Sequence, residues 1–236
     1  DFDLPGSIEV IPLQPETRLQ VFYKTAAPAP GGEGRFYDVY RGSVRVHINA
    51  EGLIDTVNVL SIEDYLRGVV PAEMPSHWPA EALKAQALAA RTYGLTSLNP
   101  ANPTWDVDDT TNFQAYLGAN HEQPETDAAV QATAGRVPTY QAEPIRAFFF
   151  STSNGHTDSN EDVFGGEPLP YLRPIQDLDP SGRPWDADSP RSEWSTQEFP
   201  LEELSAMFAG DPALAVGFVR SLDFTRRTVS GRMIEV

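Results

Sequence analysis

The chain has 236 residues and carries 17 basic against 34 acidic side chains, which gives a formal net charge of −17. Its length suits one large domain or two small ones, with enough residues for a hydrophobic core. The acidic balance argues against nucleic-acid binding, which needs basic side chains against phosphates. It also offers no attraction to an anionic polymer, so binding of such a polymer would depend on shape and hydrogen bonds.

No apolar run reaches the length of a transmembrane helix. The chain begins at Asp1 rather than at Met, which is typical of a trimmed N-terminus. We therefore expect any membrane attachment to come from an N-terminal anchor that precedes this segment. The sequence contains no cysteine, so no disulfide contributes to the fold.

The N-terminal quarter of the chain has the alternation of apolar and polar residues that is typical of strands. Residues 1–16 are rich in proline and are expected to be extended. Strands are predicted over three stretches, Thr17–Ala26, Phe36–Ile48 and Ile54–Leu60. We interpret residues 1–56 as an N-terminal β-rich segment and residues 57–236 as the core that follows it.

A first helix is predicted to begin after Ser61. Ser61 and Asp64 have the spacing of a capping box. Apolar residues then recur at helical spacing, at Ile62, Tyr65, Leu66 and Val69. Pro71 and Pro75 are expected to stop regular structure around residues 72–74.

A second helix is predicted from Ala80 to Leu95, after Pro79, which suits the first turn of a helix. Its inner face is a slim stripe of small and apolar residues, Leu83, Ala87, Ala90 and Gly94. Gln86 and Arg91 lie near this stripe. Burial of an arginine requires a partner for its charge.

The elbow between the two helices contains a carboxylate, Glu73, between Met74, Trp78 and two prolines. Such surroundings would desolvate the carboxylate, as suits a general acid. The structural alternative is that Glu73 caps the second helix and that Arg91 makes a structural ion pair. From the spacing alone, the structural alternative is favoured.

Residues 99–123 are predicted to form a long irregular loop, and loops of this length are usually functional or disordered. The loop contains Trp105, Phe113 and Tyr116, whose aromatic faces could stack on sugar rings or pack in a core. It also contains Gln114, whose amide could hydrogen-bond an N-acetyl or hydroxyl group.

Four further elements are predicted downstream. They are a helix over Pro124–Ala134 stopped by Gly135, paired strands over Val137–Gln141 and Ile145–Ser151 with a turn near Glu143-Pro144, a helix over Leu201–Phe208, and a C-terminal β-hairpin with strands over Phe218–Phe224 and Thr228–Val236. The strand over Ile145–Ser151 is very apolar, which indicates a buried central strand.

A polar loop follows that strand, with the sequence STSNGHT over residues 151–157. Small hydroxyls, an amide and a glycine at the end of a strand are typical of a loop that faces a ligand. Ser153 and His156 could suggest a serine hydrolase, but the chain lacks a G-x-S-x-G elbow. Turn-stabilising hydroxyls remain the structural alternative for this loop.

Four ordered motifs resemble the stage II sporulation protein D family, which also includes amidase enhancers. They are YLRGVVPAEMPSHWPAEALKAQALAARTY over 65–93, TTNFQAYLG over 110–118, the run from AVQATAG at 129 to FFFSTSNGHT at 157, and VFGGEPLPYL over 163–172. The likeness extends over about Val57 to Asp179. Motifs this long in one order are far more specific than a single short motif.

The resemblance implies a peptidoglycan lytic transglycosylase that cleaves MurNAc–GlcNAc bonds, in strands without stem peptides, to 1,6-anhydroMurNAc ends. It implies Glu73 as the general acid and base, with Arg91 orienting it or stabilising negative charge. It implies that five residues bind substrate: Gln114, Tyr116, Ser151, Ser153 and Asn154. The alternative function is that of a non-catalytic amidase enhancer.

The resemblance also implies an α+β fold with mixed and antiparallel sheet pieces around a central pair of helices, and a glycan cleft at their elbow. The expected partners are peptidoglycan glycan strands and a cell-wall amidase, and the expected location is extracytoplasmic. Some relatives bind zinc through Cys and His. His121 alone cannot rebuild that site, and Asp106, Asp108 and Asp109 lack the spacing of an EF-hand. We predict no metal and no cofactor.

Overall fold

Seven short strands and five α-helices lie in the part of the chain that the computed structural model describes. The described residues are 7–22, 37–49, 51–99, 101–102, 104–109, 111–193, 195, 197–212, 217–222 and 226–234. Small antiparallel sheets and helices together confirm the predicted α+β class. None of the helices in these ranges is long and apolar enough to cross a membrane.

The contacts between Cα atoms divide the chain into two units, Asp1–Phe149 and Phe150–Val236. This division differs from the predicted one at residues 56 and 57, which stays a prediction. Each unit is described separately below.

The strands of the first unit form three antiparallel sheets. One sheet has the order β1 (Ile8–Val10), β4 (Ser43–Ile48), β5 (Ile54–Val59), the second pairs β2 (Leu19–Phe22) with β3 (Tyr37–Tyr40), and the third pairs β6 (Thr139–Tyr140) with β7 (Glu143–Pro144). The proline- and glycine-rich sequence over residues 28–34 also predicts a loop between two strands, and these residues lie outside the described ones.

The prediction of an unbroken strand over Phe36–Ile48 is wrong, because a turn at Arg41 and Gly42 divides it. Gly42 has a φ of +69°, in the left-handed region that favours glycine. A Cβ atom at this position would lie 2.2 Å from the carbonyl oxygen of Val59. The chain can therefore turn closely beside β5 only with glycine here.

Helix α1 spans Ile62–Glu73 and begins as predicted, since Ser61 is its N-cap and accepts a hydrogen bond from the Asp64 N–H at 3.1 Å. The expected stop at Pro71 is wrong, because the helix continues to Glu73. Pro71 has no N–H to donate to the carbonyl four residues before it, so the helix tolerates one missing hydrogen bond in its last turn. Met74, the C-cap, is extended, as the residue before a proline prefers, so the helix ends at Glu73.

Helix α2 spans Ala80–Thr96 after Pro79, and α3 spans Pro124–Ala132. The predicted stripe on α2 is buried, with Leu83, Ala87 and Ala90 at most 1% exposed. These small side chains let α1 and α2 pack closely, with Leu66, Val69 and Val70 of α1 fully buried in the core. The predicted central helix pair is thus confirmed. The left-handed Gly135, at a φ of +69°, follows α3.

The turn predicted near Glu143-Pro144 lies just before these residues. Gln141 and Ala142 form it, with φ values of +50° and +69°, and Glu143 and Pro144 are the second strand of the pair. The predicted buried strand over Ile145–Ser151 is wrong, because no strand is assigned there and Phe150 is 64% exposed. Its rings pack on a helix instead: Phe148 and Phe149 lie 5.8 and 6.2 Å from the ring of Tyr93 in α2.

The second unit contains two described helices, α4 (Asn160–Phe164) and α5 (Leu201–Ala209), and many turns. The predicted C-terminal hairpin, with strands over 218–224 and 228–236, is not seen in the described residues; residues 226–234 contain a tight turn inside the predicted second strand instead. In this turn, the Thr228 N–H donates to the Arg232 carbonyl at 2.7 Å, and an isolated antiparallel β-bridge pairs Arg227 with Met233. Arg232 ties this turn to the polar loop through hydrogen bonds to Asp158 and to the Ser153 carbonyl.

Candidate functional site

Glu73, the predicted general acid, is the last residue of α1, and its side chain is exposed. Its Oε1 atom accepts a hydrogen bond from the backbone N–H of Ala115 at 2.9 Å. The N-cap of α2 is Pro79, and no side chain caps that helix, so Glu73 does not have the capping role of the structural alternative. Its carboxylate points to the loop after α2 instead.

The elbow does not desolvate Glu73 as predicted. Residues 74–79 form a short surface connection in which Trp78 N–H donates to the Pro75 carbonyl at 3.1 Å. The Trp78 indole is 47% exposed, and Glu73 is exposed beside it in the sequence. A connection of six residues without buried side chains cannot exclude water from a neighbouring carboxylate.

The segment over residues 114–118 presents the amide that holds Glu73. It belongs to no strand or helix, and Gln114, Tyr116 and Gly118 are buried while the residues between them are partly exposed. Leu117 N–H donates to the carbonyl of Gly68 in α1 at 3.4 Å. The segment therefore runs along α1, and the N–H of Ala115 faces the end of this helix.

Gln114, predicted to bind substrate, is only 1% exposed. Its Oε1 accepts from the Tyr65 hydroxyl at 3.3 Å and its Nε2 donates to the Ala90 carbonyl at 3.4 Å. Both ends of the amide thus bind other parts of the protein, one on α1 and one on α2.

Tyr116, also predicted to bind substrate, is 8% exposed and packs on Tyr65 with 5.1 Å between ring centroids. Its hydroxyl donates to Asn58 Oδ1 at 2.8 Å. Burial, with the neighbouring Tyr40 hydroxyl and carboxylates adding to it, raises the pKa of Tyr116 above its ordinary value. The close approach depends on Gly68, because a Cβ atom there would lie 2.6 Å from the Tyr116 ring.

A cavity of about 680 Å³ lies beside these tyrosines in the first unit. Its wall includes Tyr65, Tyr116, Trp105, Asp108 and Asp109, but Glu73 does not line it. The Trp105 indole is 42% exposed, so its face is accessible. Burial raises the pKa of Tyr65, and the charges of Glu73, Asp108 and Asp109 add to the shift.

Arg91, predicted to assist Glu73, is 1% exposed and binds Glu63 instead. Its Nε and Nη2 donate to the two carboxylate oxygens of Glu63 at 2.9 and 2.8 Å. Nη1 donates to Thr133 Oγ1 at 3.3 Å and to the Arg136 carbonyl at 3.3 Å. All three guanidinium nitrogens are therefore engaged away from Glu73. These contacts match the structural ion pair, and the catalytic role of Arg91 stays a prediction.

Glu63 completes this pair from the first turn of α1. Its Oε1 also accepts from the Gly135 N–H at 3.1 Å, just after α3. Burial disfavours its charge, but the hydrogen bonds from Arg91 and Gly135 outweigh burial and hold the pKa of Glu63 below its ordinary value. The pair thus joins the start of α1 to the middle of α2 and to the end of α3.

The remaining predicted site residues, Ser151, Ser153 and Asn154, belong to the second unit. Ser151 and Asn154 are exposed, whereas Ser153 is 5% exposed. Ser153 Oγ donates to Asp177 Oδ2 at 2.8 Å and accepts from the Gly155 N–H at 3.1 Å. Ser153 therefore stabilises the turn, as in the structural alternative, and its substrate-binding role stays a prediction.

Asp186 holds the next residue of this loop. Its Oδ2 accepts from the Asn154 N–H at 2.7 Å, where Asn154 has a φ of +55°. Burial alone would raise the pKa of Asp186, but the hydrogen bonds from Asn154 and Ser153 lower it below its ordinary value. The backbone of the loop is thus fixed by acids from the turn-rich region, while the Asn154 side chain remains exposed.

Four contacts of the site were not predicted from the sequence: those of Ala115, Tyr65, Glu63 and Asp186. Ala115 acts through its backbone N–H, which has no signature in the sequence. Tyr65 was assigned only to the apolar pattern of the first helix, and no role was predicted for Glu63 or Asp186. Among the described residues, no group of three or more His, Cys, Asp or Glu side chains could hold a metal ion.

Comparison with known proteins places these features in a family. Residues 50–140 match the family model described as "Stage II sporulation protein". This range includes Glu63, Glu73, Arg91 and the segment over 114–118. Residues 50–140 of this chain belong to the stage II sporulation protein D family. The predicted resemblance is confirmed.

Three curated relatives define how far this similarity extends. An uncharacterized protein of Brachyspira hyodysenteriae is 45% identical over 118 residues, covering 49% of this chain and 32% of the relative. Stage II sporulation protein D of Bacillus amyloliquefaciens is 36% identical over 176 residues, covering 66% and 48%. An amidase enhancer of Bacillus subtilis is 34% identical over 144 residues, covering 61% and 19%. The matched part of the chain spans less than half of each of these relatives.

Proposed function

We propose that this chain is a peptidoglycan lytic transglycosylase, which cleaves MurNAc–GlcNAc bonds in glycan strands that lack stem peptides. The observation that carries the proposal is the Glu73 carboxylate, exposed at the end of α1 and held by the Ala115 N–H at 2.9 Å. It lies in the segment that matches the stage II sporulation protein D family. An exposed carboxylate held by a fixed donor can reach a polymeric substrate.

The proposed reaction needs one carboxyl group. Glycosidases that use water generally need two carboxylates beside the bond. Here Glu73 donates its proton to the glycosidic oxygen while the bond from that oxygen to MurNAc C1 breaks. The resulting carboxylate then accepts the proton of the MurNAc C6 hydroxyl while O6 bonds to C1. The products are a 1,6-anhydroMurNAc end and a free GlcNAc end, and Glu73 regains its proton.

Exposed side chains of the chain could bind the glycan. Trp105, with its accessible indole, offers a face on which a sugar ring can stack. Ser151 and Asn154 are exposed and carry a hydroxyl and an amide that can hydrogen-bond sugar hydroxyls. Shape and hydrogen bonds must do most of this work, because the net charge of −17 does not attract an anionic strand.

The proposed substrate sets the location and the partner. Peptidoglycan lies outside the cytoplasm, so we propose an extracytoplasmic protein. A strand without stem peptides has to be made by an amidase, and one relative, of Bacillus subtilis, is named an amidase enhancer. A cell-wall amidase is therefore the proposed partner.

The test compares wild type, Glu73→Gln and Glu81→Gln on amidase-treated glycan strands, with the products identified by mass spectrometry. Glu81 is the matched control, because it is an exposed acid on α2 that pairs only with Lys84 among the described residues. We expect 1,6-anhydroMurNAc ends from wild type and Glu81→Gln and none from Glu73→Gln. Reducing MurNAc ends would indicate hydrolysis and contradict the proposal, as would cleavage by Glu73→Gln.

A second candidate function is that of a non-catalytic amidase activator, which the amidase enhancer relative supports. An activator binds the glycan or the amidase without breaking the strand. It should therefore tolerate Glu73→Gln in an assay of amidase stimulation. Absence of cleavage together with equal stimulation by wild type and Glu73→Gln would favour this function over the first.

A further inference from the structure

We infer that Gln114 and Tyr116 are positioning residues rather than sugar ligands. They hold the Ala115 N–H against Glu73 Oε1, so that the transferred proton is carried by Oε2. The inference rests on the proposed function, since it concerns how Glu73 would serve as acid and base. It is argued from burial and hydrogen bonds in the first unit.

The Ala115 N–H distinguishes the two oxygens of Glu73. In the described part of the chain, this amide is the hydrogen-bond donor to Glu73, and it binds Oε1 at 2.9 Å. A protonated carboxyl group carries its proton on one oxygen and accepts with the other. Because Oε1 already accepts from the amide, the favoured neutral form has the proton on Oε2. The same oxygen then accepts the C6 hydroxyl proton in the second step.

The amide can have this effect only if its position is fixed, and the residues on both sides of Ala115 fix it. Gln114 is bound at both ends of its amide, to the Tyr65 hydroxyl and to the Ala90 carbonyl. Tyr116 is bound through its hydroxyl to Asn58 and through its ring to Tyr65. Each anchor lies one residue from Ala115, so little movement of its N–H is possible.

Burial argues against direct contact of Gln114 with a glycan. The side chain is 1% exposed, and its Oε1 and Nε2 both have protein partners. A sugar could reach it only after these hydrogen bonds break, and breaking buried hydrogen bonds is costly. Its role is therefore to connect α1 and α2 to the segment that carries Ala115.

The most direct test removes the N–H alone. Incorporation of lactic acid at position 115 replaces the amide with an ester and retains the methyl side chain of Ala115. We expect kcat to fall by about tenfold to a hundredfold at unchanged KM, since a hydrogen bond to a charged group is lost. An unchanged kcat would overturn the inference.

A second variant tests the anchor. Gln114→Met keeps a long buried side chain but removes both hydrogen bonds, and Gln86→Met is the matched control. Gln86 is also buried, at 7% exposed, and its Nε2 has no partner among the described residues. We expect kcat to fall on the order of tenfold to a hundredfold for Gln114→Met through misplacement of the amide. Gln86→Met should retain the wild-type kcat.

Nuclear magnetic resonance gives a readout that does not depend on turnover. The Ala115 amide proton shift should follow the titration of Glu73 in wild type and Gln86→Met, weaken in Gln114→Met and be flat in Glu73→Gln. An amide that ignores the titration in wild type would overturn the inference even in an active enzyme. A raised KM with an intact Ala115 response in Gln114→Met would make Gln114 a substrate ligand and also overturn it. Failure of wild type to cleave glycan would instead overturn the proposed function.

Discussion

The guanidinium of Arg91 and the carboxylate of Glu63 form a two-point ion pair, with N–O distances of 2.9 and 2.8 Å. Arg91 is 1% exposed, so the protein removes nearly the whole arginine side chain from water. Planar two-point pairing and the carbonyls of Val130 and Arg136 satisfy its donors. The pair fastens the start of α1 to the middle of α2 and to the end of α3.

The first prediction concerns Arg91→Lys. A lysine cannot make the planar pair, so the Glu63 carboxylate and the carbonyls of Val130 and Arg136 lose hydrogen-bond donors. We expect the free energy of unfolding to fall by about 3 kcal/mol, measured by urea denaturation. Arg183→Lys is the control, because Arg183 and Asp188 form an exposed pair, and its effect on the free energy of unfolding should be much smaller.

The same variant decides between the two roles of Arg91. If Arg91→Lys keeps wild-type stability but loses glycan cleavage, Arg91 acts in catalysis and its structural role is secondary. If stability falls and the folded fraction cleaves at the wild-type rate, the structural role is sufficient.

The second prediction concerns the approach of Tyr116 to α1. In Gly68→Ala the new Cβ atom would lie 2.6 and 2.8 Å from two ring carbons of Tyr116. We expect a loss of about 1–3 kcal/mol of stability through overpacking, seen in urea denaturation, and a displaced Ala115 amide signal.

Gly94→Ala is the matched control for Gly68→Ala, since both glycines are helical. Its Cβ atom would meet the flexible Ile62 Cδ1 at 3.3 Å and Gln114 Oε1 at 3.5 Å. Because alanine favours helix by up to about 1 kcal/mol over glycine, this variant should be neutral or more stable. Equal effects of the two substitutions would contradict the close-packing argument.

The third prediction concerns acid stability. Arg173 donates to Glu161 from Nη1 at 2.7 Å and from Nη2 at 2.5 Å. These hydrogen bonds lower the pKa of Glu161 from 4.5 to about 2. Because the folded pKa lies below the unfolded one, the carboxylate stabilises the fold above pH 4.5 and loses this effect as the pH falls toward 2.

Thermal unfolding followed by circular dichroism across this pH range tests the third prediction. Wild type should be more stable than Glu161→Gln above pH 4.5, and the difference should shrink toward pH 2. Glu81→Gln, which removes an acid from an exposed pair with Lys84, should show a smaller dependence on pH. A difference between wild type and Glu161→Gln that stays constant with pH would refute the assignment.

The fourth prediction concerns the turn of the polar loop. Gly155 has a φ of +81°, and a Cβ atom there would lie 2.8 Å from Pro184 Cγ. Gly182 has a similar φ of +85° but no atom within 4 Å of such a Cβ. Both alanine variants should therefore lose about 1–2 kcal/mol through left-handed strain, and Gly155→Ala should lose more. Equal losses in urea denaturation would show that Pro184 moves aside without cost.

Local chemistry in the sequence predicted much of the helical framework. Ser61 and Asp64 marked the start of α1, and Pro79 marked that of α2, because capping and proline geometry act within a few residues. The periodic stripe with Leu83 and Ala87 predicted the face that α2 buries. Such patterns left the strand boundaries less certain, and a single glycine, Gly42, divided one predicted strand into two.

The sequence by itself determined the helix pair, its small-residue face and the position of Glu73 between two prolines. Only the tertiary structure decided what each polar group binds: Glu63, 28 residues before Arg91, became its partner, and Ala115, 42 residues after Glu73, became the donor to it. These pairs join distant parts of the chain, and one of the donors is a backbone amide, which every residue except proline possesses. Long-range contacts of this kind leave no periodic or local signal, because they exist only after the helices have packed.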